Sequence, residues 1–468
     1  MREFRLKDYK VGDTIAAIAT FPGKSALGVI KLSGNKALTI AAKIFKPARK
    51  KNIKEARTYT LHYGWIIEKA KGRKKREEII DEVLLSIMRK PSTYTREDVV
   101  EISSHGGAAV VNKILEISLK SGARLALPGE FTYRALVRGR IDLLQAESIR
   151  GIIEAKSEDT LVLAAGQLRG QASLKIRRLK ENIKELFIET ESRLNFPEDV
   201  AEDVPLDLGV KIAKIEKEVV NLLEGYQEAE IMREGLKCVI CGKTNAGKST
   251  LFNCLLKKER VIVSRLPGTT RDVIEETINI RGVPLRIYDT AGILEPKDLI
   301  AKKALKQSLD IFRKSDLVIL VLDGSRRLGN EDSFLLDKVK AKNVIFVINK
   351  SDLSQRLDLR EMPGAVIVKM SALKGKGLAG LEKAIYRVVY KKGVGRENII
   401  FLSHYQKQIL DKVRVSLKQV KTFLGEGQPI DFMNLELKLC LDNLGRLSGE
   451  VISEEILESI FSNFCIGK

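Results

Sequence analysis

Between an apolar run and a helical pattern lie eight residues, Gly242-Lys243-Thr244-Asn245-Ala246-Gly247-Lys248-Ser249, that only a narrow class of folds accommodates. The glycines let consecutive backbone N–H groups curl round a phosphate, and a helix must begin where the loop ends so that its positive pole faces the anion. The surroundings agree. From residue 236 to 390 short apolar segments, LKCVICG, PLRIYDTAG, DLVILVLDG, NVIFVINK and GAVIVKMSA, alternate with helical stretches. That order predicts a parallel sheet with crossover helices and a ligand beyond the strand C-termini.

Each later segment ends in residues suited to one part of a guanine nucleotide. In the loop, Asn245, Ala246, Gly247, Lys248, Ser249 and Thr250 surround the phosphates, with Lys248 reaching the β and γ groups and the Ser249 hydroxyl on Mg²⁺. The stretch Ser264-Arg265-Leu266-Pro267-Gly268-Thr269-Thr270 reads as a first switch, in which Thr269 or Thr270 is placed to meet Mg²⁺; Thr270 is assigned to it. Asp289-Thr290-Ala291-Gly292 supplies an aspartate for the Mg²⁺ water shell and a glycine N–H for the γ phosphate. Asn349-Lys350-Ser351-Asp352 supplies a carboxylate, Asp352, that accepts from both guanine N1–H and the 2-amino group, a pair adenine lacks. Ser371-Ala372-Leu373 adds a backbone N–H for the base carbonyl. The residue after Asp-Thr-Ala-Gly is Ile293, not the glutamine that positions water in many GTPases, so another group must organise hydrolysis.

At 468 residues the chain is too long for one core, and two to four domains are expected. Residues 13 to 33 read as strand, Pro-Gly turn and strand. A strand containing Trp65, the strand EVLLSIM, the segment VVEISSHGG and a helix from Ala108 to Lys120 complete an α+β domain. Helical periodicity runs from Phe131 to Tyr226, broken at PEDVAEDVP, and again from Leu402 to Ser462, broken near Gly425 to Pro429. The two flanks are expected to pack as one domain that carries the centre as an insertion.

The formal net charge of +21 suits a polyanion such as RNA, or a lysine-rich composition spread over every surface. The densest basic run, Lys71 to Arg76, lies between two strand patterns and reads as a solvated hairpin loop. Five cysteines, an odd number, argue for a reducing compartment, and Cys238 and Cys241, despite their CxxC spacing, sit in a core strand. Three widely separated histidines leave little for a metal site. With no signal-like or membrane-length apolar run, a cytoplasmic location is expected.

The end of the chain, Phe461-Ser462-Asn463-Phe464-Cys465-Ile466-Gly467-Lys468, is too apolar for a frayed tail. A thiol at Cys465 beside Lys468 could act as nucleophile or acid, or simply pack. With this ending the chain resembles, over essentially its whole length, the bacterial and organellar tRNA modification GTPase family usually called MnmE or TrmE. DTIAAIAT.PG, EDVVEISSHGG, PGEFTYRALVRGRIDLLQAE, the nucleotide motifs, LGRLSGEV and the terminal FCIGK carry the likeness.

The resemblance implies an N-terminal α+β tetrahydrofolate-binding and dimerisation domain (1–121), an all-helical domain from two segments (122–232 and 394–468) and an inserted α/β P-loop GTPase domain (233–393). It implies a homodimer working with a flavoprotein, usually called MnmG or GidA, in a heterotetramer or larger complex. Together they add an aminomethyl or carboxymethylaminomethyl group to C5 of the wobble uridine of certain tRNAs. A 5-formyl or 5,10-methylene tetrahydrofolate supplies the carbon, and the partner supplies FAD and NADH chemistry. By resemblance the folate ligands fall on Lys31, Glu101, Arg140 and Lys468, with Cys465 as the chemical residue. K⁺ ligands fall on Asn245, Ser264, Leu266 and Thr269, where the cation replaces an arginine finger. A ribosome-assembly or RNA-binding regulatory GTPase is the alternative reading of charge and motifs alone.

Three positions depart from the family pattern. Lys31 stands where arginine is common and loses the planar fork. Ala301 stands where a glutamate usually orients the attacking water, and Leu294 where arginine is common. Either Glu295 or Asp298 substitutes as the GTPase carboxylate, or turnover is slow and leans on K⁺ and the partner; the second is favoured, since both residues precede the helix.

Overall fold

A computed structural model describes residues 9, 12–21, 23–69, 77–195, 206–256, 275–289, 312–339, 343–358, 366–389, 399–450, 453–462, 464 and 467. The chain forms two compact units, one of Met1–Arg150, Gly170–Val204 and Ser403–Lys468, the other of Gly151–Arg169 and Pro205–Leu402.

In the first unit seven strands form one sheet: β1 (Ile15–Ile18), β2 (Ser25–Ser33), β3 (Phe45–Pro47), β4 (Thr60–Lys69), β5 (Glu77–Met88), β6 (Val99–Gly106) and β7 (Arg124–Leu125). Their order is β3-β4-β5-β6-β2-β1-β7, antiparallel except where β7 joins β1. Strand alternation decides which face is covered. Val83, Leu85 and Ile87 of β5 point into a core shared with Ile30, Leu32, Val100 and Ile102. Helices α1 (Ala37–Ile44) and α2 (Ala108–Lys120) close that face. Their intervening partners do not: Leu61, Tyr63 and Leu84 are exposed on the other side.

Helices α3 (Glu130–Val137) and α4 (Leu143–Glu154) follow the sheet. Three long helices, α6 (Gln171–Asn195), α11 (His404–Gly425) and α12 (Ile430–Ser448), bury one apolar stripe each, for example Ile176, Leu179, Ile183 and Leu186 on α6. A capping box starts α11: Ser403 Oγ accepts from the Gln406 amide while Gln406 Oε1 accepts from the Ser403 amide. The break read at Gly425 to Pro429 is the turn into α12, and Asn434 of α12 donates to Glu191 of α6 at 3.2 Å. The last helix, α13 (Glu454–Ser462), precedes the terminal residues.

The second unit holds α5 (Glu158–Leu168), α7 (Leu206–Glu234) and a six-stranded sheet of β8 (Leu236–Gly242), β9 (Glu275–Ile280), β10 (Val283–Asp289), β11 (Leu317–Asp323), β12 (Val344–Asn349) and β13 (Val366–Lys369). The order is β13-β12-β11-β8-β10-β9, and the five strands expected from the sequence are parallel. The sixth, β9, was not legible: it runs antiparallel at the edge through a two-residue turn, Arg281-Gly282, with both φ positive at 51° and 87°. Such turns usually announce themselves as Asn-Gly or Asp-Gly. Helices α8 (Lys248–Leu256), α9 (Asn330–Val339) and α10 (Leu378–Val389) flank the sheet. Central β11 is buried from Leu317 to Leu322, as a parallel strand covered on both faces requires. No helix among the described residues is long and apolar enough to cross a membrane.

Candidate functional site

The glycine-rich loop occupies the place its pattern demands, between β8 and α8 at the C-terminal edge of the parallel strands. Two glycines are there for space. A Cβ on Gly242, at φ 151°, would lie 2.3 Å from the Val321 carbonyl oxygen, and one on Gly247, at φ 98°, would lie 2.1 Å from Asn349 Nδ2. Asn245, at φ 65°, carries the left-handed turn between them, a conformation asparagine tolerates better than most residues. Lys248 Nζ bonds the Lys243 carbonyl at 3.0 Å, while the Ser249 and Thr250 side chains stand open to solvent.

Asn349 ties this loop to the next. Its Nδ2 donates to the Ala246 carbonyl at 2.8 Å and its Oδ1 accepts from the Ala372 amide at 2.9 Å, both buried. Lys350, at φ 61°, pairs with Asp323 at 2.6 Å. Burial pushes the Asp323 carboxyl up, but Lys350 and Ser325 outweigh it and hold the group below its ordinary value. Asp352 meets Lys374 at 3.4 Å and accepts from the Ser371 hydroxyl, which chiefly holds its carboxyl below the usual range. The result is a cleft of about 470 Å³ lined by Asn245, Gly247, Lys248, Ser249, Thr250, Asn349, Lys350, Asp352, Leu353, Ser371 and Leu373, a size that suits a nucleotide.

The structure thus brings three of the sequence segments into one cleft: the loop, Asn349 to Asp352 and Ser371 to Leu373. Of the fourth segment, Asp289 ends β10 in register with Ile240 of β8. Ser264, Arg265, Leu266, Pro267, Gly268, Thr269, Thr270, Thr290, Ala291, Gly292, Ile293, Leu294, Glu295, Asp298 and Ala301 lie outside the described residues. So does the basic run 71–76. The sequence reading missed Asp323, whose only signal was its place at the end of an apolar strand, and Lys374. Cys238 and Cys241 belong to the cores on opposite faces of the sheet. Burial pushes the Cys241 thiol up to about 12 and Cys238 further still, so neither is a thiolate.

A second constellation lies on the seven-stranded sheet. Lys31 of β2 and Glu101 of β6 are cross-strand partners joined at 3.3 Å. Tyr94 makes two cation–π contacts, with the Lys31 ammonium 5.8 Å and the Arg140 guanidinium 4.9 Å from its ring centre. Sequence alone gave no sign of Tyr94. The chain end docks nearby. Phe461 and Phe464 are buried, and a Cβ on Gly129 would meet Phe464 Cβ at 2.9 Å. Gly467, at φ 96°, lies so close to β1 that a Cβ would sit 2.6 Å from the Ile18 carbonyl. Cys465 and Lys468 themselves lie outside the described residues.

Beneath it is a charge network the sequence did not announce. Arg134, fully buried, bonds Glu97 at 3.0 Å and Glu130 at 2.9 Å and also pairs with Asp13. Arg124 reaches Asp13 and Glu130, and Arg138 reaches Glu97. These side chains clamp α3, from which the chain runs on to Arg140.

A parallel sheet whose strand ends present a phosphate loop, a tethered asparagine and a carboxylate backed by Ser371 defines a P-loop nucleotide-binding protein of the GTPase class. Comparison with known proteins narrows this. Residues 14–140 match the GTP-binding protein TrmE N-terminus and residues 143–465 the MnmE helical domain. The tRNA modification GTPase MnmE of Thermoanaerobacter pseudethanolicus is 42% identical over 464 residues, 98% of this chain and all of that one. Those of Clostridioides difficile and Bacillus subtilis are 42% and 39% identical over 98% and 97% of this chain, each over its whole length. Among solved structures the G domain of the T. maritima FeoB iron transporter is 27% identical, covering 33% of this chain and 98% of its own, at a TM-score of 0.27 that adds nothing about the fold. The chain belongs to the MnmE (TrmE) family of GTP hydrolases.

Proposed function

We propose that this chain hydrolyses GTP in order to drive modification of the wobble uridine of certain tRNAs, together with an MnmG-like flavoprotein that brings FAD and NADH. The family relationship supports the tRNA reading, since the relatives named above are tRNA modification GTPases. One observation within the chain carries the further step to a one-carbon donor: Lys31, Glu101 and Arg140 converge around Tyr94 beside the docked chain end. An aromatic ring beside two cations, with a carboxylate in reach, fits a tetrahydrofolate derivative, whose flat pterin stacks and donates while its glutamate tail is anionic. In this reading Lys468 adds a cation, and the Cys465 thiol, delivered by the docked tail, serves the modification chemistry.

In the nucleotide cleft the proposed roles rest on the sequence motifs and on the loop between β8 and α8. Backbone amides from Asn245 to Thr250 and the start of α8 bind phosphate, Lys248 neutralises charge on the β and γ groups, and Ser249 with Thr270 would hold Mg²⁺. Asn245 with Ser264, Leu266 and Thr269 would hold K⁺, whose charge stands in for an arginine finger. Asp352 reads guanine. The exposed apolar face of β4 and β5, Leu61, Tyr63 and Leu84, suits a homodimer in which this face is covered. The functional division is taken as 1–121, 122–232 with 394–468, and 233–393.

Mass spectrometry of wobble-uridine nucleosides in tRNA from a strain lacking the gene tests the proposal, with complementation by wild type and Cys465→Ser. Loss of the modified nucleoside, restored by wild type but not by the serine variant, is expected. Unchanged nucleosides in the deletion strain would refute the tRNA role. Absence of reduced-folate binding to the purified chain would refute the one-carbon step alone.

A further inference from the structure

Where β5 ends and β4 begins, the chain gathers cations that no carboxylate neutralises. Between β3 and β4, Asn52 caps a single 3-10 turn, Ile53–Glu55, by accepting from the Lys54 amide at 3.1 Å. Ile53 and Ala56 are buried in the core of the sheet, which leaves Arg49, Lys50, Lys51, Lys54 and Arg57 exposed. Arg89, just beyond β5, ties this loop down. Its Nε donates to the Ala56 carbonyl at 2.8 Å, its amide to Thr58 Oγ1 at 2.9 Å, and its Nη2 to the Lys54 carbonyl. Exposed Lys90 follows it. Two carboxylates lie close by, and neutral donors engage both: Asn52 Nδ2 bonds Glu55 at 2.6 Å and the Lys90 amide bonds Asp98 at 3.1 Å. Among the described residues none of these exposed cations has an ion pair.

An aromatic side chain stands among them. Tyr59 is 67% exposed and sits at φ 56°, a conformation that a bulky residue keeps only when its surroundings enforce it. Its amide donates to the Ile87 carbonyl at 2.7 Å and its hydroxyl to the Ser92 carbonyl, so an exposed ring is held in place. Anchored cations beside an anchored ring match the two features of an unpaired nucleotide, a phosphate and a base with a π face. An acidic protein surface would use the cations and have no need of the ring. A second copy of this chain is disfavoured, since a twofold contact through the patch would set like charges against each other. Position adds to the case. Lys90 and Ser92 lie in the β5–β6 connection that also carries Tyr94, the neighbour of Lys31 and Arg140. Lys90 and Tyr94 are four residues apart in the chain, so their Cα atoms are at most about 14 Å apart.

We propose that this patch receives a single-stranded loop of the tRNA, with Lys51, Lys54, Arg57 and Lys90 along the phosphates and one unpaired base on Tyr59, close to the site formed by Lys31, Glu101 and Tyr94. The inference rests on the tRNA role given above and adds the surface that holds the substrate.

The test is fluorescence anisotropy of an unmodified tRNA transcript with uridine at the wobble position, titrated with the full chain over a series of KCl concentrations. Lys54→Gln with Arg57→Gln removes two phosphate partners and should flatten the slope of log Kd against log salt by roughly 1.4 to 1.8. A matched pair, Lys412→Gln with Lys418→Gln, takes the same charge from exposed positions on α11 and should leave the slope as in wild type. Tyr59→Ala should weaken binding roughly 5- to 150-fold, the weight of one stacked base, with the slope unchanged. Tyr59→Phe keeps the ring and should retain most of the affinity. Urea unfolding followed through Trp65 should match wild type in the glutamine variants, showing the first unit intact. An equal flattening in both lysine pairs would mean an evenly decorated basic surface and overturn the patch, as would an unaltered slope in Lys54→Gln with Arg57→Gln, or no tRNA binding by wild type. A shift from dimer to monomer in that variant, with tRNA binding unchanged, would assign the patch to a second copy. If the deletion strain lacks the wobble modification while the patch variant keeps the wild-type slope, only the patch fails; if the nucleosides of the deletion strain are unchanged, the tRNA role fails first.

Discussion

Replacing Asn349 by alanine removes two hydrogen bonds whose other ends have nowhere to go. The side chain is buried, as are Ala246 and Ala372, whose carbonyl and amide it satisfies at 2.8 and 2.9 Å. Leaving a buried donor or acceptor without a partner costs roughly 1–3 kcal/mol, so the two together come to roughly 2–6 kcal/mol. Both bonds serve to hold the phosphate loop and the base-side loop in one arrangement. The loss therefore falls on nucleotide binding as well as on local stability. At about 1.4 kcal/mol per decade, GDP affinity should fall by roughly 30-fold at least, and the lower end is expected because the relaxed loops regain water. Removing the side chain also frees Gly247, over which Asn349 Nδ2 is packed. Two assays check this: calorimetric titration with GDP, and amide hydrogen exchange of the segments 243–256 and 366–378. Asn349→Asp discriminates further, since a carboxylate still accepts from Ala372 but cannot donate to Ala246. It should keep protection at Ala372 and lose it in the phosphate loop. A change in GDP affinity of less than about 3-fold in Asn349→Ala, equivalent to roughly 0.6 kcal/mol, with exchange unaltered, would show that the tether is incidental.

Arg134→Met strips the buried Glu97 and Glu130 of their central cation and should destabilise the first unit by about 3–5 kcal/mol. Urea unfolding followed through Trp65, the only tryptophan in the chain and a residue of β4, reports it; a loss under about 1 kcal/mol, outside the range for a broken buried pair, would mean the charges reorganise. Glu228 on α7 is buried with Oε2 unpartnered, and burial, aided by Glu224, lifts its carboxyl to about 7. The folded chain therefore holds this proton where the unfolded chain has lost it, and stability falls as pH rises from about 4.5 to 7. Glu228→Gln should remove that slope and gain on the order of 1–3 kcal/mol at pH 8, with no gain below about pH 4.5; scanning calorimetry at the two pH values decides, and an equal effect at both would refute the titration. Ala301→Glu should raise GTP turnover in KCl, by up to roughly 10²- to 10⁴-fold if the carboxylate is positioned. No rise, with activity lost in Glu295→Gln or Asp298→Asn, would show that one of those residues is the working carboxylate.

The nucleotide half of this protein is legible in the linear chain because its constraints are local. Gly242 and Gly247 are needed where a backbone must pass within contact distance of another chain segment, and no side chain can substitute, so the pattern survives in the linear text. The five parallel strands are equally legible, since burial on both faces demands unbroken apolar runs such as LVILVLD. Helices α2, α11 and α12 follow from period and from breaks at glycine and proline. The terminal aromatics were readable as a docked tail because Phe461 and Phe464 could not sensibly face water.

The partnership of residues whose local sequence is ordinary comes from the folded arrangement alone. Apart from Asp323's place at a strand end, nothing around Asp323, Tyr94 or Lys374 distinguishes them from surface residues until the fold sets them 2.6 Å from Lys350, beside Lys31 and Arg140, and 3.4 Å from Asp352. Strand β9 escaped because its Arg-Gly turn lacks the usual asparagine or aspartate. The Arg134 network is the plainest case: its members come from positions 13, 97, 124, 130, 134 and 138, each an ordinary charge in the chain. A charge can be buried only if the fold brings opposite charges to it, and that condition is satisfied in three dimensions, between segments more than a hundred residues apart, where no periodicity or spacing records it.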